Sequence, residues 1–326
     1  MIAERTTSGA ELDDQSGLTD QVDTPIQPKP TEQTASGNLA GHQAQPSLTL
    51  MHLYSDVLNL YGENGNIKVL ARALQAAGCS VQIKRSSLGQ DIDLSDCDLV
   101  YIGCGTETKQ MWVLKHLREQ RNAICDYLES GGLLLATGNA GDLFGNSIIM
   151  LDGSSIEALN LFDYQAIRRE HRGVGEVLFR FNQEHLIGFQ NCGSKIVWQT
   201  KIPNPLFVVT RGFVTESVIK DEQEVIEDID FEGFRVNNFI ATTVLGLLTR
   251  NPAFLVWLAE LLIYEKNPAS TYPEKNSANK NYIKLAYKEQ KDMRESTISA
   301  YQLFDLQLDV DAYKAFLANH HSILDS

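Results

Sequence analysis

The stretch from Leu133 to Gly145 is where this sequence should keep its chemistry. Leu133-Leu134-Leu135-Ala136-Thr137 is a short apolar run that passes directly into Gly138-Asn139-Ala140. Sharp turns from a buried strand into a helix expose nucleophiles in α/β enzymes, because the strained backbone lifts one side chain clear and aims N–H groups at it. Here Ala136-Thr137-Gly138-Asn139-Ala140 presents no cysteine, and strand alternation turns Thr137 elsewhere. Cys104, flanked by Gly103 and Gly105 after an apolar run, is a conceivable exposed thiol at the sheet edge, although no histidine has an evident claim to pair with it. His52 lies on an apolar strand and reads as a satisfied core histidine. His320 and His321 read as solvated end residues.

Two further segments have binding chemistry. Arg172, in His171-Arg172-Gly173-Val174-Gly175-Glu176, has a planar fork suited to a carboxylate, and it reads equally as a surface arginine on a turn. Gly62-Glu63-Asn64-Gly65-Asn66 could seat an anion at a helix N-terminus, yet it lacks the Gly-Lys-Ser/Thr of a nucleotide loop. No ATP-handling motif occurs anywhere in the chain, and neither a cofactor nor a metal is expected.

The elements that must position these residues follow from periodicity. Leu48 to Tyr54 reads as a strand, and a helix beginning near Gly65-Asn66 has Ile67, Leu70, Ala71, Leu74 and Ala77 at helical spacing. Val81 to Lys84 alternates as a second strand, and Cys97 to Gly103 is a run buried on both faces. Thr108 to Leu128 reads as one amphipathic helix stopped by Ser130-Gly131-Gly132. This alternation predicts an α/β fold, a doubly wound, mostly parallel sheet flanked by helices. From about 149 to 220 the period changes to two, predicting antiparallel additions in the second half. Asp221 to Glu232 reads as a solvated acidic hairpin or loop. Asn238 to Val244 is a last strand, and Asn251-Pro252 opens a helix ending near Lys266.

Three regions result: a disordered tail over 1–47, poor in aliphatic clusters, a folded domain over 48–266, and a polar linker with an amphipathic helical tail over 267–326. A net charge of −14 argues against a nucleic-acid partner, which requires clustered Lys and Arg. Five cysteines without a CxxC pair read as reduced thiols. The greasiest helix, Phe254 to Tyr264, is about half a bilayer span, so membrane insertion is not expected.

Several segments together resemble the class I glutamine amidotransferases of the cobyric acid synthase type. His52 to Ile67 is similar to the family's opening strand and Asn-Leu-Tyr-Gly-Asp-x-Gly-Asn turn. Gly103 to Gln110 resembles its glycine-rich loop ending in Gln, Gly188 to Ser194 its Gly-Phe-Glu-Asn-His-Gly segment, and Arg250-Asn251-Pro252 its helix start. The resemblance runs from about 48 to 266. In its register, Ala136 and Leu143-Phe144-Gly145 match the flanks of the family's nucleophile turn, so Gly138 stands at the cysteine position. Leu245 stands at the position of the histidine base, Asp142 replaces the turn's Gln, and Cys192 replaces the histidine of the Asn-His-Gly segment. Cys192 reads as a small residue filling space left by an imidazole, with a second reactive thiol as the alternative.

In this family a cysteine thiolate attacks the glutamine amide carbon and a histidine moves the proton. The resemblance therefore implies a reaction centre without its dyad. It also implies that Arg172 holds the glutamine carboxylate, and that Gly103, Cys104, Gly105 and Asn139 form the oxyanion or substrate loop. Within the family the segments come nearest to GatD-type subunits, which implies a cytoplasmic heterodimer with a MurT-like Mur ligase that amidates the D-glutamate of the peptidoglycan stem peptide. The alternative expectation is a non-catalytic, structural or glutamine-sensing regulatory protein. A free-standing enzyme using Cys104 is a third.

Overall fold

The computed structural model describes residues 46–266, apart from 201–203, 214, 221–224 and 229. The expectations for the tails over 1–47 and 267–326 lie outside the described residues, except at Pro46 and Ser47.

The first half alternates strand and helix: β1 (Ser47–Leu53), α1 (Asn64–Ala76), β2 (Ser80–Ser86), β3 (Leu99–Ile102), α2 (Glu107–Glu119), α3 (Arg121–Glu129) and β4 (Leu133–Thr137). The second half is strand-rich, with β5 (Ser147–Ile149), β6 (Ser155–Glu157), β7 (Tyr164–Phe181), β8 (Glu184–Trp198), β9 (Pro205–Arg211), β10 (Glu216–Lys220), β11 (Val225–Asp228), β12 (Phe231–Val236) and β13 (Phe239–Thr242). Helices α4 (Leu247–Arg250) and α5 (Pro252–Lys266) close it.

All thirteen strands among the described residues join one sheet, whose main path runs β11-β10-β8-β7-β9-β12-β13-β4-β3-β1-β2. The stretch β2-β1-β3-β4-β13 is wholly parallel, and from β12 outward the pairing is mostly antiparallel. The expected fold class therefore stands. Strand alternation sends neighbouring residues into two cores. Leu48, Leu50, Leu99, Tyr101, Leu133 and Leu135 pack with α1, α4 and α5 on one face. Met51, Leu53, Val100, Ile102, Leu134 and Ala136 pack with α2 and α3 on the other. Helix α5 is apolar on nearly every side and is buried accordingly, with Phe254, Leu258 and Ala259 fully enclosed.

Two expectations need correction. The helix foreseen over Thr108 to Leu128 is two helices, because the backbone leaves the helical region at Gln120 (φ −100, ψ 12). The Gln120 side chain there accepts the main-chain N–H of Ile92 at 3.3 Å, tying the loop before β3 to the break. Of the acidic stretch read as a solvated hairpin or loop, Val225–Asp228 does pair antiparallel with β10, but Glu232 lies fully buried on β12 rather than in solvent. A single turn, α4, also intervenes before α5, tied down by buried Asn251, whose side chain reaches Ile187 N and O and Leu247 O.

Candidate functional site

Register brings the parallel strands to a common edge: Leu53 stands beside Ile102, Ile102 beside Ala136, and Thr137 beside Thr242. The connections leaving that edge meet at the turn after β4, where ligands of open α/β sheets bind. Gly138 there has φ +62, a left-handed backbone that disfavours any side chain. The elbow geometry is thus present, with glycine at its apex.

The space above Gly138 is filled. A Cβ built there would fall inside contact distance of Cys104 Cβ, and would lie 3.1 Å from Leu245 Cδ2 and 3.2 Å from Cys104 Sγ. The structure therefore brings Gly138, Cys104 and Leu245 together. Cys104 is 3 % exposed, which corrects the expectation of an open thiol. Its S–H donates to the Leu60 carbonyl at 3.3 Å, and burial together with the nearby Glu63 carboxyl pushes its pKa well up, favouring the protonated thiol. The two loops are clasped, since Gly105 N–H donates to Asn139 Oδ1 at 3.1 Å and Asn139 Nδ2 donates to the Gly105 carbonyl at 2.9 Å. The Gly105 N–H foreseen for an oxyanion is consequently engaged. Leu245 is fixed by its N–H to the Phe189 carbonyl at 2.9 Å.

Beneath the elbow lies a buried polar hub that sequence reasoning did not single out. Glu63, 1 % exposed, accepts from the hydroxyls of Tyr101 and Thr137 and from Asn66 Nδ2. Burial raises its pKa against the pull of those hydrogen bonds. The chain's own carboxyl therefore occupies the loop where an anion was conceivable. Behind the turn, Asp142 accepts from Ser194 Oγ at 2.7 Å, from Gln110 Nε2 at 3.1 Å and from Arg168 Nη1 at 3.2 Å. The Asp142 and Arg168 side chains are only 4 % and 7 % exposed, and Arg168 also donates to Gln110 Oε1. Burial pushes the Asp142 pKa up while Arg168, Ser194 and Gln110 oppose it. Glu232 forms a third buried anchor, accepting from Thr242 Oγ1, Thr243 N and Thr243 Oγ1. Glu63 and Gln110 stand inside motif segments and could have been found there; Arg168 left no signal.

Arg172 sits in a bulge where β7 passes from Arg168 to Gly173 while β8 passes only from Ser194 to Cys192. Its Nε donates to Asn191 Oδ1 at 2.6 Å, one terminal nitrogen to the Asn191 carbonyl at 2.9 Å, and the other pairs with Glu107. Cys192 is buried, and burial pushes its thiol up to about 12 despite a hydrogen bond with Thr243. His52 is in the core as expected but is not satisfied: among the described residues neither ring nitrogen has a hydrogen-bond partner, and the ring packs edge-on to Tyr101 at 5.1 Å. A cleft of about 620 Å³ opens elsewhere, between Asp98, Asp126, Leu133, Asn238 and Leu262. Asp98, Leu133 and Asn238 precede or begin β3, β4 and β13, so the cleft lies at the sheet edge opposite the elbow and is unconnected with its chemistry. No helix among the described residues is long and apolar enough to cross a membrane.

The chain is 27% identical over 147 residues to the GatD subunit of the glutamine-hydrolysing lipid II isoglutaminyl synthase of Streptococcus pneumoniae, a match covering 44% of this chain and 56% of that one. It is 27% identical over 151 residues to the corresponding Staphylococcus aureus subunit, covering 45% of this chain and 61% of the other. The chain thus spans little more than half the length of these relatives. Among solved structures, a glutamine amidotransferase from Thermotoga maritima superposes with a TM-score of 0.43 at 10% identity, covering 80% of this chain and 98% of that one. Residues 49–247 match the model of one family along β1 to α4, well over half of the sequence, and the chain therefore belongs to the CobB/CobQ-like glutamine amidotransferase domain family.

Proposed function

We propose that this chain is a GatD-type subunit that docks on a MurT-like Mur ligase in the cytoplasm and contributes to amidating the D-glutamate of the peptidoglycan stem peptide, while hydrolysing no glutamine itself. The partnership is supported by the relatives, which are named as subunits of a lipid II isoglutaminyl synthase. The chemistry rests on one observation: a left-handed glycine at the elbow, backed by Cys104 and faced by Leu245. Glycine supplies no nucleophile and leucine no base, while the neighbouring thiol is favoured in its protonated form by burial and Glu63. Ammonia then reaches the ligase from solution or from another glutaminase, and the ligase supplies the ATP site.

A second reading, a glutamine-sensing regulatory protein, is favoured by Arg172, whose side chain is 41% exposed beside the elbow. The experiment that tests the first is a glutaminase assay on the purified chain, alone and with the ligase. We expect no ammonia above the buffer rate in either arm. Hydrolysis that disappears in Cys104→Ala would overturn the non-hydrolysing reading, and failure to co-purify with any Mur ligase would remove the partnership.

A further inference from the structure

Four segments framing the elbow are laced together by one run of side chains. Asn191, on β8, donates through Nδ2 to the Tyr61 hydroxyl in the β1–α1 connection. Its Oδ1 and main-chain carbonyl hold two nitrogens of Arg172, and the third nitrogen pairs with Glu107 in the first turn of α2. Two of its members stand near residues of the elbow: Tyr61 follows Leu60, which accepts the Cys104 thiol, and Asn191 lies two positions after Phe189, which accepts the Leu245 N–H. The Arg172–Glu107 pair lies flush on β8, because a Cβ on Gly193 would come within 2.6 Å of Arg172 Nη1 and 3.1 Å of Glu107 Oε1. Partial burial works against the Glu107 charge, yet the hydrogen bond and charge of Arg172 outweigh it and hold the carboxyl below its usual range. Both side chains remain reachable from solvent, at 41% and 45% exposure.

We propose that Glu107 is a built-in stand-in for a ligand carboxylate, closing a strap from Tyr61 through Asn191 and Arg172 to α2, so that an amino-acid carboxylate enters only by displacing it from Arg172. This rests on the reading of Arg172 as the carboxylate-binding residue. All three guanidinium nitrogens are engaged without a ligand and the only carboxylate among their partners is Glu107, so binding at that edge exchanges one carboxylate for another. Removing the internal competitor strengthens binding, whereas a merely structural ion pair would leave it unchanged or weaken it.

The test is calorimetric titration of the full chain with L-glutamine, using L-glutaminamide, which lacks the carboxylate, as control. Glu107→Gln should bind glutamine about fivefold more tightly than the unsubstituted chain, the upper range for a half-exposed ion pair. Glu107→Asp should restore the original affinity, Arg172→Gln should abolish binding, and glutaminamide should not distinguish Glu107→Gln from the parent. If Glu107→Gln gains nothing while Arg172→Gln still loses glutamine, the strap is refuted and the carboxylate site survives. If no variant binds glutamine, or Arg172→Gln binds as well as the parent, the strap and the reading beneath it fall together.

Discussion

Replacing Gly138 by cysteine, the residue that the family resemblance implies at this position, meets two separate obstacles. The first is local: a side chain at φ +62 costs about 1–2 kcal/mol. The second is the neighbour, since the new Cβ would press into Cys104 Cβ, and overpacking of this kind costs about 1–3 kcal/mol. Gly138→Cys should therefore destabilise the chain by about 2–5 kcal/mol. Cys104→Gly alone removes a buried side chain and loosens the backbone, at about 1–3 kcal/mol. In the double variant the added thiol refills the vacated space, so only the backbone strain remains. The double should be more stable than the sum of the singles predicts by about 2 kcal/mol or more. Urea unfolding of the four proteins measures this, with unchanged m-values as the check that the cycle is sound. Additivity within about 0.5 kcal/mol would refute the claim that Cys104 occupies the nucleophile's volume. None of these variants should hydrolyse glutamine, because Leu245 offers no base. Adding Leu245→His to the double should give weak activity at best, since the resemblance implies that Asp142 and Cys192 also depart from the family's residues.

Arg168→Met leaves Asp142 buried without its counter-charge and should cost about 3–5 kcal/mol by urea unfolding, with part of the loss recovered when Asp142→Asn is added. Full additivity of that pair would remove the ion-pair account. His52 supplies a pH dependence: burial, aided by Arg85, lowers its folded pKa from 6.5 to about 4. The unfolded chain thus binds a proton that the folded chain refuses between those values. The associated stability is present above about pH 6.5 and is lost as pH falls toward 4, by at most about 3 kcal/mol. His52→Leu should flatten the difference curve over that window, and parallel curves for the two proteins would show that the group is not responsible.

The parallel half of the fold was legible because burial on two faces leaves a plain mark: uninterrupted apolar runs at Leu99–Ile102 and Leu133–Thr137 admit few other readings. The break at Gln120 was not, since the apolar stripe continues across it through Leu117, Ile124 and Tyr127 and periodicity cannot register a turn that keeps phase. Glu232 was misread because a run of acids argues for solvent, whereas Thr242 and Thr243, which make its burial tolerable, are met only in the fold. The same limit governs the site. Motif register located Gly138, Leu245, Asp142 and Cys192 one by one, but each reads as a loss until its partner is known. Cys104 faces Gly138 across two loops, and Arg168 reaches Asp142 from a different strand. The space above Gly138 is taken up by the facing thiol, and the Asp142 carboxylate behind the turn comes with a guanidinium. A site that had merely decayed would be left with a void and an unpaired charge, each costly to a domain of ordinary stability. Here Cys104 closes the space above Gly138 and Arg168 pairs with Asp142, so a substitution at one member of either pair is felt by the other.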